Sequence, residues 1–111
     1  MGEQDKLQEQ IADIGVRFLK RTIEEVSQLR ECLESVRGGS LDALKRLERL
    51  AHKINGSAAM FGFDELSERA SEIERLAGAG RDDSASLDRI EHSLRALEAQ
   101  VEKTARERGI A

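Results

Sequence analysis

Proline is absent from this chain, and so are tryptophan and tyrosine; three phenylalanines supply all the aromatic content. With so few aromatics, a sheet would lack the residues that pack best on a pleated surface. Cys32 is the single cysteine, which excludes an internal disulfide and fits a reducing, cytoplasmic setting. It sits beside an apolar stripe and reads as a half-buried small hydrophobe. No apolar run approaches the roughly 20 residues that span a bilayer, and no signal peptide is visible. Met1-Gly2 lacks the Ser or Thr at position six of a myristoylation signal, having Lys6 instead. No block of lysine or arginine marks a nucleic-acid or membrane surface.

What is present is charge and helix formers. Charged residues make up 36% of the 111 residues, with a net charge of −4 and mixed signs along the chain. Leu, Ala, Glu and Arg dominate, which is a helical composition. The length predicts one domain over 1–111, large enough to hold a core without metal or disulfide. There are no repeats, low-complexity tracts or linkers.

Apolar spacing places the helices. Leu7, Ile11, Ile14 and Phe18 form one stripe; Ile23, Val26, Leu29, Leu33 and Val36 form another. Gly15 and a change of phase near Leu19 predict a bend or break, giving a short helix over 4–14 and a longer one over 16–36. The shorter one is expected to cap one end of a bundle. Gly38-Gly39 ends the longer helix, and Ser40 is expected to cap the next with its side chain. That next helix spans 41–60. Gly62 allows a tight turn, and Asp64 opens a helix lined by Leu66, Ala70, Ile73, Leu76 and Ala77. A loop over 78–85 leads to a last helix capped by Ser86, or by Ser84, and reaching about 107. The fold class is all-α, an antiparallel four-helix bundle (core about 16–107) with an additional short N-terminal helix.

The helix over 41–60 holds the most informative stretch. Leu44, Leu47, Ala51, Ile54, Ala58 and Phe61 make its buried line. At roughly 100° per residue, His52 points about 130° away from that line and faces water. Gly56 follows one turn later, although glycine costs about 1 kcal/mol there relative to alanine. An exposed imidazole beside bare backbone is a place where another molecule can come close.

Ala51-His52-Lys53-Ile54-Asn55-Gly56-Ser57-Ala58, followed by Phe61-Gly62-Phe63 and Leu66, resembles the histidine phosphotransfer (HPt) domain. Ile54, Gly56, Ser57, Ala58 and Gly62 match that family's pattern. Asn55 departs from it, where the family usually has lysine. The resemblance implies a phosphocarrier that relays a phosphoryl group between receiver-domain aspartates, or from a sensor or hybrid kinase, through His52. It implies no ATP-binding or kinase domain, no cofactor of the chain's own, and magnesium on the partner receiver. Lys45, Glu48, Arg49, Lys53, Asn55, Gly56 and Ala59 are the expected phosphate or partner surface, with Gly62 serving the turn. A monomer is the default expectation.

The residues give the same role a chemical basis. A neutral imidazole offers a ring-nitrogen lone pair at near-neutral pH. Asn55, three residues on, should lean back over the ring; with no lysine there, Arg49, together with Lys45, would supply positive charge. His92 is the internal control, outward-facing but followed by Arg95 and Ala96. Metal binding is disfavoured, because only Glu48 neighbours His52 at ligand spacing. Serine or cysteine hydrolysis lacks a base beside Ser57 or Cys32. The rival reading is a non-catalytic helical adaptor for a partner protein, which would gain nothing from Gly56.

Overall fold

The computed structural model describes residues 2–110, apart from the side chain of Ile11. The expectations for Met1 and for Ile11 as a stripe residue lie outside what is described. The described residues form four helices: α1 (Glu3–Arg37), α2 (Leu41–Met60), α3 (Asp64–Gly78) and α4 (Ser84–Glu107). Each packs on two neighbours in the cyclic order α1, α2, α3, α4, leaving the diagonal pairs apart. Cross-helix contacts fix the directions. Arg30 and Arg37 of α1 reach Glu91 and Asp88 of α4, while Asn55 and His52 of α2 meet Ser67 and Glu74 of α3. Rising number on one helix meets falling number on its neighbour, so the bundle is antiparallel.

The core is the inner line of each helix. Phe18, Leu19, Leu29 and Leu33 of α1 meet Leu47, Ala51 and Ile54 of α2, Leu66 and Ile73 of α3, and Ile90, Leu94 and Leu97 of α4. Thr22 is fully buried on α1, and its hydroxyl donates to the Phe18 carbonyl at 2.9 Å. No helix is long and apolar enough to cross a membrane among the described residues.

The separate N-terminal helix is corrected. Residues 3–37 are one continuous helix, and Gly15 lies inside it. Gly15 is buried, and a β-carbon there would stand 3.3 Å from Nη1 of Arg108 and 3.8 Å from Cζ of Phe63. Glycine gives room to the end of α4 and to the α2–α3 turn; it does not break the hydrogen-bond ladder. The change of phase at Leu19 is a widening of the buried face, since Phe18 and Leu19 are both inside. Residues 2–14 carry no buried side chain among those described, and Leu7 and Ile14 are exposed. They continue α1 as an arm, so the molecule is 57 Å long but only 23 Å by 18 Å across.

Two caps also differ from expectation. Ser40 precedes α2 but makes no side-chain cap bond. The N-cap of α4 is Asp83, whose carboxylate accepts from the amide of Ser86 at 3.2 Å and from its hydroxyl at 2.7 Å. Asp83 is the better acceptor because it is ionised, and those bonds hold its carboxyl below the usual range. Gly62 performs the turn expected of it. Its φ is +79°, and the Phe63 amide donates back to the Ala58 carbonyl at 2.8 Å, closing α2. Phe63 is thereby driven inward, stacked on Phe18 at 5.1 Å between ring centroids.

Candidate functional site

The buried line of α2 determines what is left outside. Leu44, Leu47, Ala51, Ile54 and Ala58 are buried, so His52 is turned to solvent, its side chain 73% exposed. Gly56 has open space where a β-carbon would stand. Beyond it Ala59, Met60 and Phe61 are exposed; Phe61, expected on the buried line, is 39% exposed because α2 ends there, although its ring still packs on Phe18 at 5.1 Å between centroids. On the other side of His52, Lys45 and Arg49 are exposed and show no ion pair among the described residues. Arg46, Arg49 and Lys53 rim a shallow groove between α1 and α2 floored by Cys32 and Leu50. Burial pushes the Cys32 thiol up, as suits a half-buried hydrophobe.

His52 is not a bare imidazole. Its Nδ1 lies 2.6 Å from Oε2 of Glu74 on α3. An ionised carboxylate can only accept, so Nδ1 carries the proton and donates. In the neutral ring Nε2 then keeps its lone pair. Asn55 is drawn into the same contact. Its Nδ2 donates to Oε1 of Glu74 at 3.4 Å, and its Oδ1 accepts from the Ser67 hydroxyl at 2.6 Å. The expectation that Asn55 leans over the ring is therefore corrected: the amide spans the groove to α3.

Two other expected surface residues are engaged elsewhere. Lys53 has its ammonium 3.1 Å from Oε2 of Glu25, a carboxylate on α1 that is only 5% exposed. The approach is off the hydrogen-bond direction, so this is an ion pair alone. Glu48 is half-buried and lies over Gly78 at the end of α3, its carboxylate 3.5 Å from where a β-carbon would be.

Glu74, Ser67 and Glu25 were not singled out from the sequence. Glu74 follows the core residue Ile73 on a helix rich in glutamate, and nothing local separates it from Glu68 or Glu72. His92 provides the contrast. It is exposed on α4 beside Glu65, Glu68 and Glu72 across a polar groove, and its ring makes no hydrogen bond to a described residue. No group of three or more histidines, cysteines or carboxylates is placed to hold a metal among the described residues.

These features define an antiparallel helical bundle that presents one oriented imidazole to solvent in mid-helix. The Hpt domain family matches residues 5–100, and the chain belongs to that family. No curated protein and no solved structure gives a significant match. Hpt domains are phosphocarrier modules without kinase activity, and they interact with phosphorelay kinases and receivers.

Proposed function

We propose that this chain relays a phosphoryl group through Nε2 of His52. The donor is the acyl phosphate of a receiver-domain aspartate, or a hybrid kinase that carries one. The Nε2 lone pair attacks phosphorus, the phosphorus–oxygen bond to the aspartate breaks, and its electron pair leaves on the carboxylate. The product is a phosphoramidate, with the proton on Nδ1 still held by Glu74. In the onward step a second aspartate carboxylate attacks phosphorus, and the pair returns to Nε2. Magnesium bound by the receiver would offset charge on the moving group. Lys45 and Arg49 would add positive charge along the rim, and Gly56 and Ala59 would let the partner's backbone come close.

The observation that carries this reading is an exposed ring whose Nδ1 is occupied by Glu74 while Nε2 makes no hydrogen bond to a described residue. The adaptor reading leaves that pairing, and the open space at Gly56, without a purpose. Incubation with a phosphorylated receiver domain tests it. Acid-labile phosphate should appear on the wild type and on His92→Gln, and not on His52→Gln, which should fold normally because its side chain faces water. Labelling that survives His52→Gln and vanishes with His92→Gln would reverse the assignment.

A further inference from the structure

Two donors on α2 converge on the Glu74 carboxylate. His52 Nδ1 approaches Oε2 at 2.6 Å and Asn55 Nδ2 approaches Oε1 at 3.4 Å. The amide of Asn55 then has only one workable orientation, because turning it over would set its oxygen against an oxygen of Glu74. That leaves Oδ1 facing α3, where it must accept. It does so from Ser67, whose hydroxyl is 2.6 Å away and also lies 3.2 Å from the Asn55 carbonyl. The chain of bonds runs from Ser67 to Asn55 to Glu74, and from His52 to Glu74. His52 and Asn55 are one turn apart on α2; Ser67 and Glu74 are two turns apart on α3.

We infer that Asn55 and Ser67 are a matched pair of positioning residues: they hold the Glu74 carboxylate on His52 and so select Nε2 as the nucleophilic nitrogen. Its consequence for transfer rests on the phosphocarrier reading; its geometric half does not. A free glutamate side chain has several rotamers, and loss of its order is an entropic cost to any contact it makes. The Asn55 amide reduces that freedom from one side of the carboxylate while Ser67 holds the amide. The pairing also gives a physical reason for asparagine at 55. A lysine ammonium there could bind Glu74 but has no acceptor to offer Ser67. An amide offers a donor to one and an acceptor to the other. When the carboxylate leaves Nδ1, the ring proton is free to move to Nε2, and the lone pair needed for attack is lost.

The test reads the tautomer directly. In two-bond proton–nitrogen spectra of the labelled protein near pH 8, well above the ordinary imidazole range, wild-type His52 should be protonated on Nδ1. Ser67→Ala and Asn55→Ala should each move it toward a mixture of tautomers, Ser67→Thr should restore the wild-type pattern, and His92 should be unchanged throughout. With phosphoramidate as a small donor, uptake on Nε2 should fall about fivefold in the two alanine variants, the equivalent of one lost hydrogen bond, and recover in Ser67→Thr. A wild-type ring protonated on Nε2 would overturn the inference, as would unchanged tautomers in both alanine variants. Failure of the wild type to accept phosphate from a phosphorylated receiver would instead sink the phosphocarrier reading, while the tautomer result still decides the positioning claim.

Discussion

Lys53 and Glu25 illustrate how one residue beside the site serves the fold. Glu25 is buried on α1; its Oε2 is paired with the Lys53 ammonium, off the hydrogen-bond direction, and has no hydrogen-bond partner among the described residues. A buried carboxylate without a counter-charge is costly. Lys53 is 62% exposed, so its partner is partly screened and the cost of removing it falls below that of a fully buried pair. Lys53→Met should destabilise the protein by about 1–3 kcal/mol, the range for stranding one buried polar group. Glu25→Gln in the Lys53→Met background should recover much of that loss, since the stranded charge is gone. Urea unfolding of the two variants checks both signs; equal stability of Lys53→Met and wild type would mean that water already reaches Glu25.

At the level of elements, α2 is organised by the contrast between its two faces. The inner face is closely packed, so its register cannot change; the outer face around Gly56 is empty. Alanine at 56 meets nothing within 4 Å and removes the glycine cost in mid-helix. Gly56→Ala should therefore raise stability by about 1 kcal/mol, or roughly 4 °C in melting temperature for a domain of this size. Gly56→Leu should be no less stable than wild type, yet transfer from a phosphorylated receiver should slow if the proposed docking is right, because the branched side chain would stand in the partner's path. Melting curves and transfer rates separate the two effects. A leucine variant that transfers at the wild-type rate would remove Gly56 from the docking surface. Gly15, in α1, works the other way: its surroundings are occupied by Arg108 and Phe63.

Across the whole molecule, α1 and α4 are joined by a fork. Arg30 donates to both oxygens of Glu91 at 2.6 Å and to Glu98 at 2.6 Å and 3.3 Å. The bonds to Glu98, then to Glu91, raise the Arg30 guanidinium still further above its ordinary value. The same bond from Arg30, helped by Arg95, holds the Glu91 carboxyl below the usual range, although burial opposes it. A carboxyl lowered on folding adds stability that is fully present above its unfolded value and is lost as pH falls through its folded one. Glu91→Gln should thus be less stable than wild type at neutral pH, and the gap should close as pH falls below the ordinary glutamate range. Melting temperatures of the two proteins across that interval decide it. A gap that stays constant with pH would assign the loss to packing.

The sequence by itself determined whatever one helix determines. Apolar spacing located α2, α3 and α4 and turned His52 outward, because side-chain direction follows from about 100° per residue and needs no neighbour. Gly62 was legible for the same reason, its φ of +79° being a local demand of the turn. Gly15 has the local look of a bend or break because the reason for that glycine, Arg108 and Phe63, lies 48 to 93 positions away in the chain. Only the tertiary structure decided that Asn55 turns toward α3, that Lys53 pairs with Glu25, and that Glu74 among many glutamates reaches Nδ1 of His52. Those contacts depend on how far one helix slides along another. A shift of one residue, 1.5 Å, is enough to replace one partner by the next, and no periodicity within a single helix records it.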